Sequence, residues 1–451
     1  MYVRYERSGW TVHMVTPEAA KTVFNATRTF PKLIDESVSE TLINKILDSP
    51  NVMNLNVPRW KDHRSVVNPA FNRALPIQLF GETTQKLFRL LDIDTEQCGT
   101  HTPFKVDVAD VIFRWSLDVM GLASFGFNFE GLSKKENPWA KVYKQFDKDV
   151  KVSFFSLYPI LDQQLRWLFR TRQAAHENLE RYRGMVSNVV QEKRPEGIEN
   201  DSDDDHKNDV EKDLLTLMIE SELRGEGAVL SNQELVNNLC IFFAAGLDTT
   251  ANALSFALFY LAKNPDIQEK ARQEVIRVLC PDGKEPTEDV LPTAQQTKEL
   301  QYILQVVKET LRFNGSVAWL VTPRVVAQDD TVLMGQHIPK GTSVSVNIYD
   351  LHHNPNVWKD PEVFNPDRFA PGGEADNHPN GTAAWIPFGF GSRKCIGYRF
   401  SMGEQVVLLS MLLRKYIVTL PSDTIHKEHI ITNNVQVINP VSMEVLFKRR
   451  Y

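Results

Sequence analysis

The stretch Phe388–Gly397, with the sequence FGFGSRKCIG, places one cysteine between two glycines and beside two basic residues. It fits the pattern F-x-x-G-x-R-x-C-x-G, whose five fixed positions are expected by chance in a chain of 451 residues at below about one in ten thousand. A lone cysteine before a helix is usually a small buried hydrophobe. The surrounding pattern reverses that expectation and indicates a functional role for Cys395.

The chemistry of this loop explains its residue types. A helix is predicted to begin just after Cys395 and to run to about Leu413, and the free backbone N–H groups at a helix start stabilise a thiolate and keep it deprotonated. Gly391 and Gly397 lack a Cβ, so that the loop can turn tightly against a flat ligand. The sequence therefore predicts that Cys395 is available as a thiolate.

Three further motifs precede the cysteine loop. Residues 245–250 read AGLDTT midway along an apolar helix, where a carboxylate is costly unless it is paired or hydrated, so a functional role is predicted for it. Glu309 and Arg312 form an E-x-x-R pair on one helix face, which alone is an ordinary surface pair of about 0.2–0.5 kcal/mol. Trp60 and Arg64 form a W-x-x-x-R pair, whose indole N–H and guanidinium suit one carboxylate.

These motifs and their order resemble the cytochrome P450 family, of the eukaryotic microsomal type, over nearly the whole chain. The resemblance implies a mainly α fold with a minor β portion, in which a long central helix lies over a haem and the cysteine loop lies beneath it. It also implies haem b, iron protoporphyrin IX, as the cofactor, with Cys395 as the thiolate ligand of the iron. A thiolate suits an iron that must cleave an O–O bond, because its sulfur donates electrons more strongly than imidazole.

The resemblance assigns roles to the other motif residues. Thr249 is expected to hydrogen-bond dioxygen, and Asp248 is expected to relay protons from solvent. A structural brace for the cysteine loop is expected from Glu309, Arg312 and Arg368. Contacts with the haem are expected from Trp60, Arg64, Ala245, Arg324, Phe388, Arg393 and Gly397, and of these Arg324 and Arg393 are expected to pair with the propionates.

The implied activity is that of a monooxygenase, which takes electrons from NADPH-cytochrome P450 reductase or cytochrome b5 and inserts one oxygen atom into an apolar substrate. Two alternatives remain open. The first is a haem-thiolate isomerase or dehydratase, which rearranges hydroperoxides without external electrons, but such relatives tend to lose the acid–alcohol pair that Asp248 and Thr249 retain. The second is a degenerate, non-catalytic haem-binding protein. The substrate is not predicted, because scattered apolar side chains rather than a motif line such a pocket.

Composition narrows the functional class. With 42% hydrophobic and 24% charged residues the chain is typical of packed domains, and its formal charge of −6 gives no reason to expect nucleic acid as a partner. No C-x-x-C motif occurs among the four cysteines, so a reducing compartment is the default expectation.

Residues 1–10 carry Arg4, Glu6 and Arg7, where a signal peptide or membrane anchor needs an apolar core. A soluble or peripheral chain is therefore expected, although the resemblance implies the cytosolic face of the endoplasmic reticulum membrane. Family members usually begin with an anchor, a Pro-rich hinge and a first helix, and all or most of these would lie before Met1 here.

The domain organisation is expected to be simple, with one cytochrome P450 domain over residues 1–451. Within it, residues 195–213 are rich in Asp and Glu and lack aromatic residues, which predicts a flexible acidic loop. The best-defined helix begins at the capping box of Ser231 and Glu234 and runs to Lys263. Its apolar stretch is interrupted by polar residues, so a buried helix is predicted rather than a membrane span.

Overall fold

The chain folds mainly into α-helices, with short strands in four small sheets. The computed structural model describes residues 1–6, 9–34, 39–47, 50–98, 102–134, 136–199, 212–223, 230–280, 284, 286–433 and 437–451. The helices are α1 (Pro17–Asn25), α2 (Leu42–Leu47), α3 (Arg59–Asn72), α4 (Ile77–Cys98), α5 (Val108–Met120), α6 (Pro138–Val150), α7 (Ser153–Leu157), α8 (Pro159–Asp162), α9 (Arg170–Glu199), α10 (Leu214–Leu223), α11 (Asn232–Lys263), α12 (Pro265–Leu279), α13 (Ala294–Glu299), α14 (Gln301–Phe313), α15 (Ile348–His352) and α16 (Tyr398–Lys415).

The strands are β1 (Tyr2–Glu6), β2 (Gly9–Met14), β3 (Phe104–Asp107), β4 (Arg324–Val325), β5 (Val332–Leu333), β6 (Gln336–His337), β7 (Ser343–Val346), β8 (Tyr416–Thr419), β9 (Thr432–Asn433), β10 (Asn439–Pro440) and β11 (Glu444–Arg449). The largest sheet has the order β1-β2-β7-β4, in which β2 and β7 are parallel and the other neighbours are antiparallel. A second sheet has the order β3-β11-β8, and two sheets are hairpin-like pairs. A mainly helical fold with a minor β portion is thereby confirmed.

The central helix α11 begins and ends as its sequence predicts. The Ser231 hydroxyl accepts a hydrogen bond from the backbone N–H of Glu234 at 3.2 Å, and the Glu234 carboxylate accepts one from the N–H of Ser231 at 2.9 Å. Among the described residues it is the one helix long and apolar enough to cross a membrane, but 72% of its most apolar window is buried inside the protein. Such burial is typical of a core helix, which agrees with the prediction of a buried helix rather than a membrane span.

The predicted acidic loop at residues 195–213 lies largely outside the described residues, because these stop at residue 199 and resume at residue 212. Its predicted boundaries are too wide. Helix α9 continues to Glu199, and Asp213 is buried with its carboxylate 2.9 Å from the Lys193 ammonium.

A polar contact joins the central helix to the helix that follows the cysteine loop. The Thr250 hydroxyl of α11 lies 2.8 Å from the Glu404 carboxyl group of α16 and 3.1 Å from the Ser401 hydroxyl. Glu404 is buried, and burial raises its pKa to about 8, although the hydrogen bond from Thr250 acts in the opposite direction. Glu404 is therefore a neutral acid at pH 7.

This buried acid predicts a pH dependence of stability. The pKa of Glu404 is about 8 in the folded protein and about 4.3 in the unfolded chain. Between these two pH values the carboxyl group is protonated in the folded protein and ionised in the unfolded chain. The contribution of Glu404 to the free energy of unfolding therefore falls as the pH rises through that window. We expect Glu404→Gln to unfold at a higher temperature than the parent at about pH 8 and to lose less stability between about pH 5 and about pH 8.

Thermal unfolding followed by circular dichroism measures this effect. The matched control is Glu428→Gln, which changes an exposed glutamate and should follow the parent. A Glu404→Gln variant whose melting temperature falls with pH as steeply as that of the parent would contradict the expectation.

Candidate active site

Cys395 lies in a tight loop just before α16. Its backbone N–H donates to the carbonyl of Phe388 at 2.8 Å, which closes the loop, and Gly397 is the N-cap residue of α16. The side chain is accessible, yet it lies deep within the protein, so that its sulfur faces an internal space.

The helix start alone does not make this thiol a strong acid. Burial raises the pKa of Cys395, whereas a hydrogen bond from the N–H of Gly397 and the charges of Arg64 and Lys394 lower it by less. In the protein alone, desolvation thus outweighs the local hydrogen bond and charges in setting the pKa of Cys395. The thiolate stays a prediction that depends on a metal ion at the sulfur, because a coordinating thiol would be deprotonated.

Of the two glycines singled out in the loop, Gly391 has the stricter requirement. Its φ is +68°, and a Cβ there would lie 2.5 Å from Oδ1 of Asn25. Gly397 has a φ of −83°, and a Cβ there would meet Phe71 at an ordinary 3.8 Å. The loop therefore needs a glycine at Gly391 in order to pack against α1 in a left-handed conformation.

Four cationic side chains lie near one another beside the loop: Lys32, Arg64, Arg324 and Arg393. Burial, and then the charges of Arg324 and Arg64, lowers the pKa of Arg393 to about 9, and burial lowers that of Arg324 to about 10. The pKa of Lys32 is also lowered, by burial and by Arg324 and Arg393. In the part of the chain that the structure describes, no carboxylate compensates Lys32, Arg324 or Arg393.

This cluster fits a ligand that carries carboxylates. Nε and Nη1 of Arg324 and Nε of Arg393 are buried and have no acceptor among the described residues, which costs free energy. The two propionates of a haem would supply both the negative charge and the acceptors. The residues present therefore fit a haem.

Trp60 and Arg64, the residues of the W-x-x-x-R motif, support this cluster by packing and by a backbone contact. The Arg393 guanidinium lies 4.0 Å from the ring centroid of Trp60, so the indole provides a surface on which that cation stacks. Arg64 donates to the backbone carbonyl of Lys394 at 3.3 Å and so ties α3 to the cysteine loop. Lys32 was not predicted from the sequence, because only the bridge that pairs its backbone with Arg324 brings it here.

The middle of α11 has an accessible face, although the turns on both sides of it are buried. Ala245 is exposed and Thr249 is partly exposed, and the Thr249 hydroxyl donates to the carbonyl of Ala245 at 2.6 Å. The Ser316 hydroxyl donates to the carbonyl of Thr249 at 2.5 Å. An accessible face in the interior of a buried helix lines an internal space, to which the acid–alcohol pair is open.

Gly246 has a packing role. A Cβ there would lie 1.9 Å from Cε of Met120, so the glycine lets α5 approach α11 closely. The helix continues without interruption from Asn232 to Lys263. Gly246 therefore serves the packing of α5 against α11, and the Met120 side chain fills the space beside it.

Asp248 lies against α6. The Tyr143 hydroxyl lies 3.0 Å from Oδ2 of Asp248 and 3.2 Å from the carbonyl of Ala244. Burial, and then the charge of Asp147, raises the pKa of Asp248 to about 7, while Lys151 acts in the opposite direction. Tyr143 was missed in the sequence, because no motif marks a contact between two helices so distant along the chain.

The E-x-x-R motif forms a buried charge cluster. Nε and Nη2 of Arg312 donate to the two oxygens of Glu309 at 2.7 and 2.9 Å, and both side chains are fully buried. Nε of Arg368 lies 3.4 Å from the same carboxylate, and the backbone N–H of Asn365 donates to it at 2.8 Å. Two arginines, one three residues from Glu309 and one distant in sequence, thus meet at its carboxylate.

A histidine connects this cluster to the cysteine loop. Arg312 donates to the carbonyl of His352 at 2.8 Å, and Nε2 of His352 accepts a hydrogen bond from the N–H of Ile386 at 3.0 Å. Burial lowers the pKa of His352, so its ring is neutral and able to accept. The link reaches the chain just before Phe388, whose carbonyl closes the cysteine loop.

Comparisons with known proteins agree with this geometry. The model of the family described as Cytochrome P450 matches residues 5–447. Cytochrome P450 3A11 of Mus musculus is 30% identical over 368 residues, which cover 79% of this chain and 67% of the relative. Probable cytochrome P450 6a13 of Drosophila melanogaster is 28% identical over 384 residues, covering 83% and 72%. A crystal structure of a cytochrome P450DA mutant heme domain has the same fold, with a TM-score of 0.81, 24% identity and coverage of 100% of this chain and 90% of that chain.

The charge cluster generates a prediction about stability. Removing Arg312 leaves Glu309 buried without its bidentate partner, which costs about 3–5 kcal/mol. We expect Arg312→Ala to give little folded protein, with a melting temperature well below that of the parent. The matched control is Arg277→Ala, since Arg277 also pairs with a glutamate three residues earlier but is 74% exposed. Equal melting temperatures for the parent and both variants would show that the buried cluster does not stabilise the fold.

Proposed function

Because the chain belongs to the cytochrome P450 family, whose model covers residues 5–447, we propose that it is a monooxygenase fed by an NADPH-dependent reductase and acting on an apolar substrate. Membership of this family supports the general part of the proposal, namely that the protein is a haem-thiolate enzyme that uses dioxygen. The electron donor, the identity of the haem as haem b and the class of substrate are the parts that we propose.

The observation that carries the proposal is the acid–alcohol pair on the accessible face of α11. Asp248 and Thr249 are both partly accessible there, beside the small apolar residue Ala245. A monooxygenase needs protons delivered to dioxygen, whereas an isomerase or dehydratase needs no external electrons or protons. The retained pair therefore favours the monooxygenase over that alternative and over a degenerate haem-binding protein.

Each residue of the site has its own proposed role. Cys395 would ligate the iron, and the carboxylates of the haem would be held by Lys32, Arg64, Arg324 and Arg393, with Trp60 beneath the last. When bound, the haem supplies the redox-active iron that activates dioxygen. Asp248, whose pKa is about 7, holds and releases a proton near neutral pH, as a general acid should. The Thr249 hydroxyl lies one residue further along the helix, where it can receive that proton and orient a small ligand.

An apolar surface supports attachment to a membrane. Around α7, α8 and the turn that follows them, six large apolar side chains are exposed: Phe154, Leu157, Tyr158, Ile160, Trp167 and Leu168. Exposed patches of this kind are typical of protein or membrane contact sites. We propose that this surface attaches the protein to the cytosolic face of the endoplasmic reticulum membrane.

A basic surface near the cysteine loop supports a reductase as the electron donor. We name Lys61, Arg73, Lys394 and Arg399 the basic patch. Lys61 and Arg399 are exposed, and the bond from Arg64 to the carbonyl of Lys394 holds α3 against the loop, so that both halves of the patch are neighbours. Flavoprotein reductases usually present an acidic surface, so such a patch would attract one. Cytochrome b5 would use the same side.

Substrate and activity are tested together. The shift of the Soret band is measured across fatty acids, sterols, terpenoids and aromatics, and NADPH consumption is then followed with reductase and the compounds that shift it. We expect consumption that depends on both reductase and substrate. Rearrangement of a hydroperoxide without NADPH would identify the isomerase class, and no turnover with any compound would favour the degenerate protein.

Oxygen activation generates a prediction for Thr249. Without its hydroxyl, electrons should leave as peroxide instead of entering product, because proton delivery is no longer directed. We expect Thr249→Ala to bind haem normally but to form product at about one hundredth of the parent's yield per NADPH or less, in line with the roughly 10²–10⁴-fold contribution of acid–base catalysis. Thr249→Ser keeps the hydroxyl and should stay close to the parent. Equal coupling in Thr249→Ala and the parent would remove Thr249 from the mechanism.

The basic patch generates a prediction about electron transfer. Charge attraction is screened over a Debye length of about 8 Å at physiological salt, so the first electron transfer should slow as ionic strength rises. We expect Lys61→Glu with Arg73→Glu to slow it further at low salt and to weaken the salt dependence. Lys340→Glu with Lys427→Glu, two lysines outside the patch, is the charge-matched control. Rates that are independent of salt and equal in all three proteins would rule out docking through this patch.

A further inference from the structure

Helix α6 presents two side chains to Asp248 of α11. The Tyr143 hydroxyl lies 3.0 Å from Oδ2 of Asp248, and the Asp147 carboxyl group is a second hydrogen-bonding partner of the same side chain. Tyr143 and Asp147 are four residues apart, so they lie one turn apart on one face of α6. The acid of the acid–alcohol pair is therefore held by a neighbouring helix as well as by its own.

A chain of polar contacts continues from Asp147 to Lys151 and Asn439. The Lys151 ammonium forms an ion pair with Asp147 and donates to Oδ1 of Asn439 at 3.1 Å. The side chains of Lys151 and Asp147 are 23% and 27% exposed, so both are partly accessible. Tyr143, in contrast, is buried. Asp147 is thus the partly accessible partner of Asp248 on α6.

We propose that Asp147 passes protons from solvent to Asp248, and that Tyr143 is the positioning residue that holds Asp248 for this transfer. The inference rests on the proposed function, in which Asp248 supplies the protons for dioxygen activation. It goes further by assigning the entry of those protons to α6, a helix that none of the sequence motifs includes.

The chemistry of a carboxyl pair supports the transfer. Two carboxylates cannot donate a hydrogen bond to each other, so the contact between Asp147 and Asp248 requires one shared proton. At rest the shared proton lies on Asp248, because burial favours the neutral form of that acid, while the Lys151 ammonium forms an ion pair with the Asp147 side chain. After Asp248 has released its proton towards Thr249, water protonates Asp147. The O–H bond of Asp147 then breaks as an O–H bond on Asp248 forms, which restores the starting state.

Tyr143 can bond Asp248 in both protonation states. When Asp248 is ionised, the tyrosine donates its single hydrogen to Oδ2. When Asp248 is protonated, its hydroxyl can donate to the tyrosine oxygen, while the tyrosine donates to the carbonyl of Ala244 at 3.2 Å. Burial raises the pKa of Tyr143 well above its usual value, so the tyrosine keeps its proton and orients Asp248 without carrying the proton itself.

The other groups that face Asp248 do not replace Asp147. From α6 these are Tyr143 and, through its charge, Lys151, and from α9 the Tyr182 hydroxyl, which donates to the carbonyl of Cys240 at 2.9 Å. Burial raises the pKa of Tyr182 as well, so it is neutral. Among these groups Asp147 alone combines a carboxyl group, a hydrogen bond to Asp248 and exposure to solvent.

The first test needs no turnover. Infrared difference spectra of the haem-loaded protein are recorded against pH, and the carboxylic acid band of Asp248 is assigned by its loss in Asp248→Asn. We expect this band to titrate near pH 7 in the parent. In Asp147→Asn the midpoint should fall by about one pH unit or more, because the neighbouring negative charge is removed. Asp149→Asn removes a carboxylate of the same helix that bonds Gln145 instead, and it should leave the midpoint unchanged.

The second test follows turnover. We expect Asp147→Asn to lower kcat about tenfold or more and to raise the solvent deuterium isotope effect on kcat, with haem content and substrate-induced Soret shift unchanged. Asp147→Glu should recover most of the rate, because it restores a carboxyl group. Tyr143→Phe should lower kcat less than Asp147→Asn does, and it should raise the infrared midpoint, because the hydrogen bond from Tyr143 lowers the pKa of Asp248.

Two results would overturn the proposal: the same infrared midpoint in the parent and Asp147→Asn, or the same kcat and isotope effect in both. Failure of the proposed function appears differently, as a parent protein that consumes no NADPH with any substrate. In that case the infrared midpoints still decide whether Asp147 and Asp248 share a proton.

Discussion

Positive charge that the described protein residues leave uncompensated is the constraint on which the rest of this structure depends. Lys32, Arg324 and Arg393 come from three distant parts of the chain. Burial lowers the pKa of all three, and the charge of Arg324 lowers the pKa of Lys32 and Arg393 further. Buried N–H groups of both arginines have no acceptor among the described residues. Such an arrangement is costly unless an anion completes it. The carboxylates of the proposed haem would be that anion, so cofactor binding would be coupled to the stability of this region.

Two adjacent threonines of the central helix have different roles, one in the proposed chemistry and one in packing. Thr249 faces the accessible interior next to Asp248, whereas Thr250 faces α16 and bonds the neutral acid Glu404. Side chains one position apart on a helix point about 100° apart, so Thr249 can face the accessible interior while Thr250 faces α16. Through α16 the same helix is connected to the loop that carries Cys395. The acid–alcohol pair and the thiolate are therefore positioned by one packed unit.

The proposed proton entry adds a third element to this unit. Asp248 is bonded from α6, and α6 is followed directly by the exposed apolar side chains around α7 and α8. A movement of this region that admits substrate would also move Tyr143 and Asp147 relative to Asp248. Proton supply would then depend on how α6 lies against α11, which couples the two steps without any contact between substrate and acid.

The sequence by itself determined the family, the central helix with its capping box and the identity of Cys395, because these depend on local patterns: fixed spacing, helix periodicity and end signals. It also indicated that Glu309, Arg312 and Arg368 act together. Only the tertiary structure revealed Lys32 beside Arg324, His352 between the charge cluster and the loop, and Tyr143 with Asp147 at Asp248. These contacts join segments far apart in the chain, and no local pattern encodes them. It also decided the protonation state of Glu404, since a pKa depends on burial, which a motif does not specify.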